Sequence, residues 1–144
     1  MRYIRKALLT LLILLPVLAV FVAVNIYYGI DDAYAQWGAI DMTIDYMETH
    51  DGKWPPDWEA LRPNFEAGGG RVGGWSFEHF QRRVAVDFHA DADELRRKSI
   101  ESATVPFQVI YARWTFGSAM GDGPNAMLYR YFRTKAGMEA ESTD

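Results

Sequence analysis

The sequence predicts an α+β protein: an N-terminal transmembrane helix that continues into an amphipathic helix packed on a small, mainly antiparallel sheet of three to four strands. Three observations carry this reading. The 24 residues from Ala7 to Ile30 contain no charge. Asp31 to His50 then repeats apolar side chains at helical spacing, and the second half holds three short β-rich runs separated by turn-forming residues. The expected division is residues 1–30 as membrane anchor, 31–138 as an extracytoplasmic α+β domain, and 139–144 as a frayed acidic tail.

As a helix rising about 1.5 Å per residue, Ala7 to Ile30 would reach roughly 36 Å, against a hydrocarbon core of about 30 Å. Ala33-Tyr34-Ala35 has the small-residue spacing of a signal-peptidase site. However, the strongly apolar part, Ala7 to Val24, is already 18 residues long. A secretory apolar region usually runs about 7–15 residues with its cleavage site close behind. Here Asn25, Tyr27, Tyr28, Asp31 and Asp32 intervene. Tyr3 at one end and Tyr27 and Tyr28 at the other stand where interfacial aromatic belts form. An uncleaved anchor is therefore expected, with a cleaved signal as the alternative and a buried soluble helix as the third reading. Arg2, Arg5 and Lys6 flank one end and the two aspartates the other, so the positive-inside rule puts the N-terminus in the cytoplasm and the globular part outside. Pro16 removes one helical hydrogen bond, which membrane helices tolerate.

Beyond the anchor, 12 Lys and Arg face 19 acids, a net −7 that argues against nucleic acid as a partner. With no cysteine, disulfides, thiolate metal sites and thiol nucleophiles are excluded.

Ala33, Trp37, Ile40, Ile44 and Met47 form the expected inner stripe of the second helix, capped by Asp31 or Asp32 and ended by Gly52. The two helices can be one, with Gly29 the weakest point. In "KWPPDWEALRP" the prolines lead into a short helix that should stop near Arg62, before Pro63. Trp54 and Trp58 are read as pins holding this loop on the core, rather than as a docking platform. "EAGGGRVGG" is a connector without the spacing of a phosphate loop. "FEHFQRRVAVDF", "VPFQVIYARW" and "AMLYRYFRTK" are the three expected strands, with "GSAMGDGPNAM" as the turn before the last. "DADELRRKSIES" is a short helix between the first two. The core should join Trp37, Ile40, Ile44 and Met47 to Val84, Val86, Phe88, Val109, Tyr111, Tyr129 and Tyr131.

The sharpest chemical constellation is "DFHADADE". In an extended chain Asp87, His89, Asp91 and Asp93 would share one face and could hold a divalent cation. Against this, the glycine turn and distal glutamate of an acidic calcium loop are missing. Asp91 and Glu94 also have the spacing of a helix cap and its third residue. His50 and His79 are isolated, and no serine lies in a nucleophile elbow. Arg82-Arg83 and Arg96-Arg97-Lys98 read as solvated charged faces, because acids flank both. No catalytic, cofactor-binding or metal-ligating residue is assigned, and no cofactor is expected.

The order of elements resembles that of type II secretion pseudopilins and type IV pilin-like proteins. The resemblance rests on Tyr46, Asp51, Gly52, Trp54, Pro55 and Leu61, in the segment where the long helix of that family gives way through a loop to a sheet. It covers about the first 65 residues as a motif. "MRYIRKALLTLL" lacks both the prepilin cleavage site and the glutamate that follows it in the family. The anchor, the order of elements and the missing catalytic motifs together lead to the expectation of a single-pass, non-enzymatic structural or interaction component of a cell-envelope assembly, with lipid as one partner through the N-terminal helix and other proteins or itself as another. A tethered module binding a ligand or cation near Asp87, His89 and Asp91 is the second expectation, and an envelope hydrolase the third.

Overall fold

One α-helix runs through Gly29 without a break. In the computed structural model, which describes residues 2–68, 74–113 and 123–137 (side chains from residue 11 onward), α1 runs from Arg2 to Thr49, 48 residues, and includes Pro16. Because the helix is continuous, Asp31 and Asp32 cap nothing. They lie mid-helix and turn to other work, described below. At the far end the chain stops as anticipated at Gly52. The Gly52 N–H donates to the Met47 carbonyl at 2.8 Å, the longer bond of a Schellman turn, with Asp51 (φ 54°) and Gly52 (φ 77°) both left-handed.

Four helices and a two-stranded sheet wrap the second half of α1. They are α2 (Trp58–Glu66), α3 (Phe77–Arg83), β1 (Val84–Val86), α4 (Ala92–Glu101), β2 (Ile110–Ala112) and α5 (Gly123–Lys135). The strands are antiparallel, with Ala85 opposite Tyr111. Helix α1 touches α2, α3, α5 and both strands, so it is the axis of the domain as well as a layer on a sheet. The core draws Ala35, Ala39, Ile40, Met42 and Met47 from α1, and meets them with Leu61, Phe80, Val84, Ile110, Leu128 and Phe132.

The buried face of α1 differs from the predicted stripe. Asp32, Ala35, Gln36, Ala39, Ile40, Met42, Thr43 and Met47 are buried, while Trp37 and Ile44 sit half-buried at the rim. At 3.6 residues per turn the buried arc is rotated by about a quarter turn from the predicted stripe, so Ile40 and Met47 belong to both while Trp37 and Ile44 fall at the edge. Ala39 and Thr43 lie near its centre. Two of its polar members are satisfied locally: Thr43 Oγ1 donates to the Ala39 carbonyl (2.8 Å) and Gln36 Nε2 to the Asp32 carbonyl (3.2 Å).

One expected strand is replaced by helix and another in its first half. Ser76 accepts from the His79 N–H at 3.2 Å and caps α3, so "FEHFQRR" is helical and only Val84 to Val86 extends. Phe77, Phe80 and Val84 have helical spacing as well as partial strand parity, and the cap decides between them. "AMLYRYFRTK" is most of α5, where Pro124, Leu128 and Phe132 recur every fourth residue and are buried. The place a third strand would take beside β2 is held by one side chain. Asn125 Oδ1 accepts from the Val109 and Ile110 N–H groups (2.9 and 3.1 Å), and Nδ2 donates to the Ile110 carbonyl (2.7 Å). An amide side chain carries the donor and acceptor of a peptide group, so Asn125 closes the open strand edge as a neighbouring strand would.

Two members of the expected core lie elsewhere. Tyr111 is 43 % exposed, pointing off the sheet. Tyr129 sends its hydroxyl to the Ser102 carbonyl (2.8 Å), where Arg133 also donates at 3.3 Å, so together they satisfy the carboxyl end of α4. Helix α2 follows the prolines as predicted, capped by Asp57 with Oδ1 2.9 Å from the Ala60 N–H, but continues through Pro63 to Glu66. Trp58 meets Phe77, Phe80 and Phe88 edge-on, and Trp54 Nε1 donates to the Asp87 carbonyl at 2.9 Å. Both tryptophans pin the loop. The tail from 138, the "TFGSAMG" segment and most of the glycine-rich connector lie outside the described residues.

Candidate functional site

Leu11 to Val24 of α1 is exposed along its length: Leu12, Val20 and Phe21 are each more than 60 % exposed. Helix α1 is long and apolar enough to cross a membrane. Leaving such side chains in water forgoes roughly 1.5–3 kcal/mol each, so this half of the helix calls for an apolar surrounding. The domain begins where the apolar stretch ends, and among the described residues the one fully buried charge, Asp32, lies at that junction.

Arg83, the last residue of α3, reaches back to α1. Its guanidinium lies 3.1 Å from Asp32 Oδ1 and 3.3 Å from Asp31 Oδ2, with side-chain exposures of 15, 1 and 34 % in the order Arg83, Asp32, Asp31. Its Nε donates to His79 Nε2 at 3.3 Å, which puts the ring proton of the neutral imidazole on Nδ1. Tyr28 and Trp75 stack on the guanidinium, with ring centroids 5.4 and 5.7 Å from its carbon. A planar, always-charged fork suits this position, since it can serve two carboxylates and two aromatic faces at once. Asp32 remains incompletely served. Its Oδ2 is buried and has no hydrogen-bond partner among the described residues, an arrangement that costs free energy wherever it persists.

A cavity of about 450 Å³ opens beside this pair. One wall is α1, presenting Val24, Asn25, Tyr28 and Asp32 at one-turn spacings; the other is α3, presenting His79, Arg82 and Arg83. Asn25 Nδ2 turns back onto the Phe21 carbonyl at 3.0 Å, and Arg82 Nε donates to the Glu78 carbonyl at 3.3 Å. The lining therefore grades from apolar at Val24 to charged at Asp32 and Arg83, in the direction that leads out of the apolar half of α1.

The predicted acidic constellation has other duties. Asp87, His89, Asp91 and Asp93 do not share an extended face, because Ala90 N–H closes a turn onto the Asp87 carbonyl at 3.2 Å. Asp87 Oδ1 accepts from the His89 N–H at 3.0 Å. Asp91 Oδ1 accepts from the Asp93 and Glu94 N–H groups (2.8 and 3.2 Å), the helix cap anticipated for it. Asp93 and Glu94 pair with Arg96 and Lys98, each at 2.7 Å. Among the described residues no group of three or more His, Asp or Glu could hold a metal ion.

The junction escaped the sequence reading because Asp32 and Arg83 stand 51 residues apart. The signal present was a pair of aspartates without a nearby base; the Arg82-Arg83 doublet was read as a solvated charged face, whereas Arg83 is largely buried against them. Comparison with protein-family models, with curated proteins and with solved structures returned no match.

Proposed function

We propose that this chain is a single-pass membrane protein and a non-enzymatic structural or interaction component of a cell-envelope assembly, pilin-like in plan. The observation that supports it is the continuity of α1: one unbroken helix is both the exposed apolar rod and the axis of the domain. A helix shared in this way couples the domain to the bilayer without a flexible linker, so the domain is presented at a set height and orientation. Rigid presentation serves assembly with neighbours, whereas a catalyst gains little from it. The basic N-terminal residues place that end in the cytoplasm and the domain on the outer side.

The test is crosslinking in intact membranes followed by purification in mild detergent. Recovery of a discrete partner or a self-associated species is expected. Recovery of monomer alone, at crosslinker concentrations that capture a known membrane complex, would sink the reading. The second reading, a tethered ligand-binding module, moves from the Asp87–Asp91 turn to the junction cavity, where an unsatisfied buried oxygen and basic side chains converge.

A further inference from the structure

We propose that the junction cavity binds the headgroup of an amine-bearing phospholipid, a phosphate with a primary ammonium beside it, from the leaflet on which the domain rests. This rests on the membrane-spanning reading of α1. If Val24 marks the outer edge of the hydrocarbon, Asp32 stands eight residues, about 12 Å, farther along the axis. The cavity then spans the headgroup layer, whose depth on each face is roughly 5–8 Å, and the water just above it.

The chemistry of the lining selects within that layer. Arg82 and His79 on the α3 wall supply donors for a phosphate, with the His79 Nε2 already occupied by Arg83. Arg83 itself is engaged by Asp31 and Asp32. An anion alone would leave Asp32 Oδ2 unsatisfied and would meet a carboxylate. A cation alone would meet two guanidinium groups. A primary ammonium held a few bonds from a phosphate answers both walls: its N–H groups can donate to Asp32 Oδ2 while the phosphate accepts from Arg82 and His79. A quaternary ammonium has no N–H to give, and a glycerol headgroup has no positive charge. Val24 and Tyr28 continue the cavity toward the apolar half of α1, where the acyl chains of such a lipid would lie.

The test is native mass spectrometry of the full-length chain in mild detergent, titrated with phosphatidylethanolamine, phosphatidylcholine and phosphatidylglycerol of identical acyl chains. Phosphatidylethanolamine should be retained about ten-fold better than the other two, the ratio expected for one charge-assisted hydrogen bond. Asp32→Asn should erase the preference over phosphatidylcholine, and Arg82→Gln should weaken retention of all three. Circular dichroism of each variant checks the fold; should Asp32→Asn unfold, the headgroup ratio of the unaltered chain and the Arg82→Gln result still decide. Equal retention of the three lipids, or a preference that survives Arg82→Gln undiminished, would overturn the proposal. Displacement of the lipid by an equal concentration of free phosphoethanolamine would overturn a lipid as the source. Alkaline carbonate extraction separates the two levels. A chain released from membranes defeats the anchor and this proposal together, whereas a chain retained in them with no headgroup preference defeats only the cavity proposal.

Discussion

Replacing Arg83 by Met is the most informative single perturbation of the fold. The change keeps much of the apolar stem between Tyr28 and Trp75 and removes the charge. At 3.1 Å the attraction between Arg83 and Asp32 is about 5 kcal/mol gross at an effective dielectric of about 20. What the variant loses is set by what remains: Asp32, with a side chain 1 % exposed, would keep a buried carboxylate with no cation. Stranding one member of a buried pair costs about 3–5 kcal/mol, a large share of a total stability of about 5–15. The reverse change should be milder. Asp32→Asn leaves Arg83 with Asp31 and with the open cavity, so about 1 kcal/mol is expected, the ordinary worth of one hydrogen bond. Urea unfolding of the full chain in mild detergent, followed by tryptophan fluorescence, measures both variants and the double variant. A coupling of about 1.5 kcal/mol or more should emerge from the cycle. If Arg83→Met costs less than about 1 kcal/mol, or the cycle shows no coupling, the junction pair does not hold the domain to α1 and the reasoning fails.

Three other outcomes are expected. Asn125→Ala should destabilise the domain by roughly 2 kcal/mol, because the backbone groups of Val109 and Ile110 lose their partners, and hydrogen exchange at those amides should accelerate; unchanged exchange would show that the strand edge does not depend on this side chain. Gly29→Ala should stabilise α1 by about 0.5–1 kcal/mol, since a Cβ there meets nothing within 4 Å, and exchange between residues 25 and 33 should slow. Faster exchange would instead mean that the helix needs to bend at this point. Glu59 titrates below the usual carboxylate range, chiefly through its hydrogen bond to Arg62, and Glu78 does so through its own backbone N–H and then Ser76. A carboxylate depressed in the folded state stabilises it above the unfolded range and ceases to do so as pH falls through the lower folded value. Helix α2 and the first turn of α3 should accordingly weaken in acid, and Arg62→Gln should raise the Glu59 midpoint in a carbon-detected NMR titration; a midpoint that stays put would refute the assignment of its cause.

Legibility in the sequence followed the range of the interaction. Helix caps are decided within four residues, and Asp91 was readable as such. The end of α1 at Gly52 belongs to the same class, as does the charge-free length of its first half. Short apolar runs were misread where they are helical: Phe77 to Arg83 and Met127 to Phe132 satisfy two periods at once, and at that length periodicity alone does not separate strand from helix.

What the sequence by itself determined is the long apolar rod, its polarity of charge, the junction with a helical segment, and the local caps, because each depends on neighbours along the chain. Only the tertiary structure decided which side of α1 faces inward, that the sheet has two strands among the described residues, and that Asp32 answers to Arg83. The physical reason is common to all three. A face rich in Ala and Thr has no hydrophobic signal until other elements close on it. A strand edge can be sealed by a side chain as well as by a strand, and a buried charge finds its partner by proximity in space.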